Sequence, residues 1–311
     1  MEVKNSIAVI GGGSWGRALA FAFSQKNNVG IVSRKQLSFL NSYFSHKVLQ
    51  IDLAQALNFK YIIIAIKSDV MREWLSKVKF NNKSIILVAT KGIEIDSGAF
   101  ISDIFDELCE NKNVGYLMGP SFAKEVLEGM PCALNIHTKR EKELACFANI
   151  FPNFIKIYFN NDVIGGEVAG AYKNIIAIAG GISDGLNLGN NAKASMLSRG
   201  LIEMARFGKF FGANSETFLG LSGAGDLFLS ANSILSRNYR VGMGLAKGKS
   251  LKLILNELGE VAEGVQSTRA VVNLANKHNI YTPIAKQVDE ILDGKSPKDS
   301  VRELIAKDFE I

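Results

Sequence analysis

Residues 7–16 read Ile-Ala-Val-Ile-Gly-Gly-Gly-Ser-Trp-Gly, an apolar run that leads straight into a glycine-rich turn. Its glycines have the G-x-G-x-x-G spacing, in which Gly11 permits a tight turn, Gly13 lets the backbone approach a pyrophosphate, and Gly16 lets helix and strand pack closely. The small and apolar residues at 18–23 predict a buried helix after the turn, whose first N–H groups would face the phosphates. We therefore predict a dinucleotide-binding site at the start of the chain, with a purely structural glycine turn as the alternative.

The residues after the second predicted strand, 29–33, bear on which dinucleotide binds. Sites that take NAD usually have Asp or Glu near the end of this strand, about 20 residues past the glycines, to hold the ribose 2′-OH. This chain has Ser33-Arg34-Lys35 there, and no acidic residue follows before Asp52. Because Arg34 and Lys35 suit a 2′-phosphate, the sequence favours NADPH over NADH. The alternative is a solvated basic turn.

Composition narrows the class of protein. A chain of 311 residues with 47% hydrophobic residues is long enough for two domains. The formal charge of +6 is modest and its basic residues are scattered, which favours small anionic substrates over nucleic acid. The cysteines, Cys109, Cys132 and Cys146, form no C-x-x-C pair, which is typical of a reduced, cytoplasmic protein. We expect neither a signal peptide nor membrane insertion.

Hydrophobic patterning predicts an α/β Rossmann-type doubly wound sheet followed by an all-α C-terminal domain. Continuous apolar runs such as 61–66 indicate strands buried on both faces, hence a parallel sheet with helices around it. Strands are predicted at 7–10, 29–33, 61–66, 84–89, 114–118, 132–136 and 155–158. Helices are predicted at 163–182, 194–211, 224–235, 240–247, 251–258, 263–278 and 282–293. The predicted domains are therefore 1–162, for the dinucleotide, and 163–311, for substrate and catalysis.

Two polar segments follow predicted strands, where ligands of a doubly wound sheet bind. Lys91 comes directly after the apolar run 85–89, so we expect it to face the ligand crevice, with an ordinary solvated lysine as the alternative. Gly119 and Ser121 come after the run 114–118. Ser121 either caps a helix or helps that helix start to bind an anion.

The stretch 169–181 is an apolar, small-residue helix interrupted by one lysine and one asparagine. A buried lysine is costly unless it is paired, and burial lowers its pKa, so Lys173 is a candidate acid–base group. The alternative is a lysine at the helix edge that extends to the surface.

Two further polar insertions lie in the helical half. Asp226 follows a glycine-rich turn, either as a functional carboxylate or as a first-turn acid favoured by the helix dipole. Ser236-Arg237-Asn238 offers a hydroxyl, a guanidinium and an amide side by side, which suits a phosphate, although most such tripeptides are surface residues. The three histidines, His46, His137 and His278, lie beside no glycine turn or polar cluster, so we expect neither a histidine-based mechanism nor a His/Cys metal site.

Taken in order, these segments resemble the bacterial-type NAD(P)-dependent glycerol-3-phosphate dehydrogenases. The resemblance runs from residue 7 to about 294 and rests on the segments 11–20, 90–92, 119–125, 173–178, 183–185, 189–193, 222–227, 236–238 and 261–264. It implies reversible reduction of dihydroxyacetone phosphate to sn-glycerol 3-phosphate for phospholipid synthesis. A homodimer through the helical domain is compatible with it.

The resemblance also implies a role for individual residues. Lys173 would be the acid–base group. The substrate would be held by Lys91, Gly119, Ser121, Asp226, Ser236, Arg237 and Asn238. The cofactor would be held by Gly11, Gly13, Ser14, Trp15, Gly16, Arg34, Lys35, Lys91, Ala123, Arg237, Val261 and Glu263.

Three departures from the family pattern concern the cofactor side. Arg17 stands where the family usually has Thr, and a cation in the first turn of a helix is unfavourable without a nearby anion, so we expect Arg17 to contact the pyrophosphate. Lys67-Ser68 replaces Pro-Ser, and the segment between Arg34 and Asp52 is shorter than usual.

Two other functions remain open on the sequence. One is a lysine-dependent β-hydroxyacid dehydrogenase with the same layout, which would need no phosphate clamp. The other is a non-catalytic NADPH-binding regulator that binds nucleic acid through its basic residues. The combination of Lys173, Asp226 and Arg237 argues against the second.

Overall fold

A computed structural model of the chain describes residues 6–37, 48–259 and 262–306, and it divides into two compact units. The first unit comprises Met1–Lys91 and Ala99–Glu167, and the second comprises Gly92–Gly98 and Val168–Ile311.

An eight-stranded sheet forms the framework of the first unit, with the strand order β3-β2-β1-β4-β5-β6-β7-β8. The strands are β1 Ser6–Ile10, β2 Asn28–Val32, β3 Val48–Gln50, β4 Tyr61–Ile64, β5 Ile85–Val88, β6 Val114–Met118, β7 Cys132–His137 and β8 Ile155–Asn160. β1 pairs in parallel with both β2 and β4, and β5 and β6 continue in parallel. The predicted doubly wound sheet is confirmed.

The sheet differs from the predicted one in two respects. β7 runs antiparallel to β6, although it is parallel to β8. Apolar runs show that a strand is buried but not which way it runs, and an antiparallel strand near the edge of a parallel sheet is common. The short strand β3 was not predicted, because three residues are too few to show a period.

The helices of the first unit are short apart from the one that follows β1. They are Ser14–Ser24, Leu53–Ala56, Met71–Leu75, Ile101–Leu108, Ala123–Leu127, Glu141–Leu144 and Phe147–Ile150, with a 3₁₀ turn at Ser68–Val70.

Each face of the sheet has its own apolar core. Ile7 and Val9 of β1 belong to one buried cluster, whereas Ala8 and Ile10 belong to the other. Side chains alternate across a strand, so every second residue enters the opposite layer. Both layers are apolar, which is why the central strands read as continuous hydrophobic runs.

From Val163 onward, every regular element in the described ranges is helical, and the predicted helical C-terminal domain is confirmed. The helices are Val163–Gly185, Asn190–Phe210, Ser215–Leu219, Asp226–Ala231, Arg237–Ala246, Leu251–Leu258, Glu263–His278, Pro283–Leu292 and Pro297–Ile305. A π-helical turn at Leu221–Gly225 and the helix Pro297–Ile305 were not among the predictions. Among the described residues, no helix combines the length and apolarity of a membrane span.

We call Val163–Gly185 the lysine helix and Arg237–Ala246 the clamp helix. Residues 168–183 of the lysine helix are buried except for Lys173 and Ala179, which are half-buried. A helix that is apolar on all sides belongs in the interior of its unit. The polar side chains of residues 168–183 are therefore few, namely Tyr172, Lys173, Asn174 and Ser183.

The strand order of the sheet reverses between β1 and β4. The chain passes from β1 to β2 and β3 on one side, and then returns past β1 to β4 and β5. In such sheets ligands bind outside the carboxyl ends of the strands, where the order reverses. The glycine turn follows β1 at this point.

Candidate active site

The glycine turn fits a dinucleotide pyrophosphate. Gly11 has φ +124°, and a Cβ atom on it would lie 2.2 Å from the carbonyl oxygen of Ala65, while one on Gly16 would lie 1.9 Å from that of Gly11. A Cβ atom on Gly13 would meet no atom within 4 Å, so this glycine borders open space. Gly13 precedes the eleven-residue helix Ser14–Ser24, which carries no acid in its first turn. Such a helix start favours an anion.

The residues after the glycines lie in the first turn of that helix. Ser14, Trp15 and Arg17 are half-buried. Trp15 packs against the apolar cluster that contains Ile7 and Val9. Its ring therefore has a packing role in addition to the cofactor contact that the family resemblance implies.

Arg34 and Lys35 are exposed in the turn that follows β2. The Gln50 side chain holds this turn: its amide donates to the carbonyl oxygens of Ser33 at 3.3 Å and Lys35 at 3.1 Å. A Cβ atom on Gly12 would lie 2.3 Å from the Ser33 hydroxyl oxygen, so the basic turn adjoins the glycine turn. The shortened segment noted in the sequence lies partly outside the described residues, which omit 38–47.

Lys91 and Ser121 meet at one carbonyl oxygen. The Lys91 ammonium and the Ser121 hydroxyl each donate to the oxygen of Gly119 at 3.4 Å. The adjacent helix begins at Ala123, and the residue before it, Phe122, occupies the cap position. The structure therefore gathers these predicted residues at the ends of β5 and β6, and the helix-capping alternative for Ser121 is wrong.

A buried ion pair lies in the second unit. The Lys173 Nζ atom is 2.8 Å from Oδ1 of Asp226, with 12% of the lysine side chain and 1% of the aspartate side chain exposed. The ammonium also donates to the Ser230 hydroxyl at 2.9 Å. Lys173 thus points into its unit, and Asp226 is more than a first-turn acid. Ser230 was missed because its partner is 57 positions away in the sequence.

The π-helical turn at Leu221–Gly225 places Asp226. A Cβ atom on Gly223 would lie 2.1 Å from the Phe218 carbonyl oxygen, so the turn is tight against the preceding helix. Turns of this kind often occur at functional sites. The glycine-rich stretch thus delivers the carboxylate to the buried lysine.

A chain of amide hydrogen bonds joins three helices of the same unit. The Asn238 side chain donates to Oδ1 of Asn174 at 2.9 Å and accepts the backbone N–H of Gly264 at 3.0 Å. Glu263, half-buried, opens the helix to which Gly264 belongs. Val261 lies outside the described residues. Asn174 and Gly264 were missed as site residues, since only the fold brings them to Asn238.

Ser236 and Arg237 begin the clamp helix. The Ser236 hydroxyl oxygen accepts the N–H of Tyr239 at 3.3 Å as a helix cap, and Arg237 is half-buried at the first helical position. A hydroxyl that accepts in this way keeps its proton to donate. The helix start can therefore present a hydroxyl proton and a guanidinium to one anion.

A second buried carboxylate supports the lysine helix. The Tyr172 hydroxyl donates to Glu203 at 2.7 Å, and Glu203 accepts the N–H groups of Ile284 and Ala285 at 2.9 Å each. Burial raises the pKa of the Glu203 carboxyl, and these hydrogen bonds partly offset that effect. The network anchors the residue next to Lys173.

Among the described histidines, His137 is fully buried. A ring nitrogen of His137 lies 2.7 Å from the Asp162 carbonyl oxygen, and burial lowers the pKa of the imidazole. Cys109, Cys132 and Cys146 form no disulfide. Within the described part of the chain, no three His, Cys, Asp or Glu side chains converge as metal ligands would.

A doubly wound sheet with a glycine turn at its switch point is typical of dinucleotide-binding enzymes, and here it is followed by a helical unit with a buried lysine–aspartate pair. Two family models match the chain: the NAD-dependent glycerol-3-phosphate dehydrogenase N-terminus over residues 6–144 and its C-terminus over residues 162–303. The chain therefore belongs to the NAD-dependent glycerol-3-phosphate dehydrogenase family, as the sequence motifs indicated.

Individual relatives agree over nearly the full length. Glycerol-3-phosphate dehydrogenase [NAD(P)+] of Bartonella bacilliformis is 53% identical over 97% of this chain and 99% of its own. The protein of the same name from Helicobacter hepaticus is 53% identical over 97% of this chain and 100% of its own. The crystal structure of glycerol-3-phosphate dehydrogenase from Coxiella burnetii superposes with a TM-score of 0.91, at 32% identity, and covers 98% of this chain and 99% of its own.

Proposed function

We propose that this chain catalyses the reversible, NAD(P)-dependent reduction of dihydroxyacetone phosphate to sn-glycerol 3-phosphate, with Lys173 as the acid–base group. The observation that carries the proposal is the ion pair of Lys173 and Asp226 inside a helical unit, 2.8 Å long and nearly closed to solvent. Membership of the family supports the reaction. The residue roles are argued below from the contacts.

Bound NAD(P)H supplies the hydride that C2 of the substrate receives. The turn of Gly11, Gly13 and Gly16 is the proposed pyrophosphate cradle, because Gly13 borders open space at the start of a helix. Ser14, Trp15, Ala123, Arg237, Val261 and Glu263 are the further proposed contacts to the cofactor.

We assign the preference for NADPH to the basic turn after β2. Arg34 and Lys35 are exposed there, and Gln50 fixes the backbone that carries them. A guanidinium suits a phosphate because it offers paired donors. Arg17, in the first turn of the helix after the glycines, is the proposed additional contact to the pyrophosphate.

Lys173 is the proposed proton donor. During reduction its ammonium donates to the alkoxide that forms on the substrate, a role typically worth about 10²–10⁴-fold in rate. Asp226 balances the charge of the ammonium within the buried environment. Ser230 holds the ammonium from a second side, so its direction is fixed before the substrate arrives.

We assign the substrate phosphate to the start of the clamp helix. Ser236, Arg237 and Asn238 provide the donors, and binding energy from the phosphate then positions the reacting carbon. Lys91, Gly119 and Ser121, which meet at one carbonyl oxygen, are the proposed substrate residues of the first unit.

The proposal also covers the metabolic role, the cellular compartment and the assembly of the protein. The product would serve phospholipid synthesis, and the three reduced cysteines suit the cytoplasm. A homodimer through the helical domain is the proposed assembly.

Turnover with four combinations of one cofactor and one carbonyl substrate tests the proposal. Purified protein is assayed with NADPH or NADH, each against dihydroxyacetone phosphate and against the keto form of an unphosphorylated hydroxyacid. We expect turnover with dihydroxyacetone phosphate, faster with NADPH. Better use of the unphosphorylated substrate would favour a β-hydroxyacid dehydrogenase, and better use of NADH would refute the assignment of Arg34 and Lys35. Cofactor binding without turnover, with salt-sensitive binding to DNA, would favour a regulator.

A variant tests the acid–base group separately. Lys173→Ala is expected to lower kcat by more than tenfold with the affinity for cofactor unchanged. Retention of more than a tenth of the original kcat would overturn the role of Lys173.

A further inference from the structure

Three polar side chains that the proposed reaction does not use form a cluster in the second unit. The Tyr239 hydroxyl donates to Oδ2 of Asp184 at 2.5 Å, and the Lys193 ammonium donates to the same oxygen. The ammonium also lies 5.4 Å from the centre of the Tyr239 ring. Only 13% of the Lys193 side chain and 34% of the Asp184 side chain are exposed, so solvent screens the cluster only in part.

The cluster holds the clamp helix at a second point on the lysine helix. Asn238 bonds to Asn174, while its neighbour Tyr239 bonds to Asp184. Asn174 and Asp184 are ten positions apart on the lysine helix, about 15 Å along its axis. Two consecutive residues of the clamp helix are therefore tied to widely separated points, which opposes rotation of its first turn.

Glycines bring the two helix backbones into contact between those points. A Cβ atom on Gly181 would lie 2.0 Å from the Tyr239 carbonyl oxygen, and one on Gly242 would lie 2.0 Å from that of Ile178. The helices cannot move closer, and the two side-chain hydrogen bonds oppose their separation and rotation. The first turn of the clamp helix thus has one defined position.

We propose that Asp184 and Tyr239 are positioning residues that fix the first turn of the clamp helix against the lysine helix. That turn carries Ser236 and Arg237, so the cluster sets where the substrate phosphate is held relative to the acid–base group. The inference rests on the proposed function and adds a specificity role for residues outside the contacts to the substrate.

The hydrogen bonds of the cluster favour one fixed arrangement of its side chains. Burial, with the hydrogen bond to Asp184, raises the pKa of Tyr239 to about 12, so its hydroxyl remains a donor at neutral pH. Lys193 compensates the charge of Asp184 from the other side. Hydrogen bonds to a charged acceptor are stronger than neutral ones, which favours a fixed geometry.

A misplaced clamp has a specific kinetic signature. A displaced phosphate site weakens substrate binding and moves the reacting carbon away from the acid–base group, so KM for dihydroxyacetone phosphate rises and kcat falls. A general loss of folding would instead lower the thermal midpoint and the active fraction. A rise in KM for dihydroxyacetone phosphate that exceeds the rise in KM for NADPH, at an unchanged thermal midpoint, thus separates positioning from structural support.

Tyr239→Phe is the first test, with Tyr281→Phe as the matched control because 67% of Tyr281 is exposed. In Tyr239→Phe we expect KM for dihydroxyacetone phosphate to rise about tenfold, the scale of one hydrogen bond to a charged group. The value of kcat should fall, and KM for NADPH should rise less than KM for dihydroxyacetone phosphate, because Arg237 is also a proposed cofactor contact. The control should match the original protein in all three.

A second pair of variants, at Lys193, keeps the test valid if Tyr239→Phe does not fold. Lys193→Gln should raise KM for dihydroxyacetone phosphate, and Lys193→Arg should restore it, because a guanidinium can pair with Asp184. Unchanged KM in both Tyr239→Phe and Lys193→Gln would overturn the inference, as would equal changes in the KM values of both substrates. If the original protein does not turn over dihydroxyacetone phosphate, the proposed function itself fails.

Discussion

Glu167 accepts two hydrogen bonds from Ser102, one from its backbone N–H at 2.9 Å and one from its hydroxyl. The carboxyl is 1% exposed, and burial raises its pKa to about 8, although both hydrogen bonds favour the charged form. The pair therefore ties the helix Ile101–Leu108 to Glu167 with a group that stays largely protonated at neutral pH. This arrangement makes the stability of the fold depend on pH.

The sign of that dependence follows from proton linkage. Between about pH 4.5 and pH 8 the folded protein keeps a proton on Glu167 that the unfolded chain releases, so stability falls as pH rises. The contribution approaches about 1.4 kcal/mol per pH unit inside this window. Glu167→Gln should flatten the dependence and give a higher free energy of unfolding than the original protein at pH 8. Urea unfolding at several pH values would measure this. Glu110→Gln, at an exposed carboxylate, should retain the original slope, and an unchanged slope in Glu167→Gln would contradict the prediction.

Cofactor selectivity should depend on the turn after β2. Arg34→Ala is expected to raise KM for NADPH about tenfold while KM for NADH stays within about twofold, because a charged hydrogen bond to a phosphate is lost. Gln50→Ala should shift the same ratio in the same direction by less, since it only loosens the backbone that carries Arg34. Steady-state kinetics with both cofactors decide this. Arg140→Ala serves as the control at an exposed arginine, and an equal rise of both KM values would refute the prediction.

Proton transfer should be sensitive to Ser230. Ser230→Ala removes a hydroxyl that accepts a hydrogen bond from the Lys173 ammonium, and we expect kcat to fall about tenfold, less than the about 10²–10⁴-fold of general acid catalysis because Asp226 still holds the ammonium. Ser230→Thr keeps a hydroxyl in place and should retain most of the activity. A fall in Ser230→Thr as large as in Ser230→Ala would mean that packing matters at this position and the hydroxyl does not.

Close packing around His137 should make Gly166 irreplaceable. A Cβ atom at Gly166 would lie 2.5 Å from the imidazole ring, which is itself fully buried. Gly166→Ala gains up to about 1 kcal/mol in helix propensity but costs about 1–3 kcal/mol in overpacking, so we expect net destabilisation. Gly220→Ala is the comparison, because its Cβ would meet only one atom, at an ordinary 3.6 Å. Thermal unfolding of both variants would show a loss confined to Gly166→Ala.

The sequence predicts best where the backbone itself imposes a residue type. The close packing of Gly11 and Gly16 could be predicted without a structure because a Cβ atom on either would overlap a backbone atom, and Gly13 borders open space, as the proposed pyrophosphate cradle requires. The lysine helix could be predicted for a related reason: a polar residue within an apolar run is conspicuous.

Residues whose role depends on a distant partner escape such reasoning. Asn174 and Asn238 are 64 positions apart, and although each stands out in its own segment, the hydrogen bond between them could not be predicted. Gln50 lies in β3, whose three residues are too few to show a periodicity. The carbonyl groups to which its side chain donates lie in the turn after β2 and not in a helix or strand. Strand direction is similarly hidden, because β7 is as apolar in its antiparallel setting as a parallel strand would be.

The amide of Asn238 limits how this protein can be engineered. Its oxygen accepts a hydrogen bond from the N–H of Gly264, and its nitrogen donates one to the side-chain oxygen of Asn174. In Asn238→Asp a carboxylate oxygen would face the Asn174 oxygen, and both atoms are acceptors. At Gly264 a Cβ atom would lie 2.7 Å from the same oxygen. Library designs that aim at a new substrate head group should therefore keep positions 174, 238 and 264 as one invariant block and diversify around it.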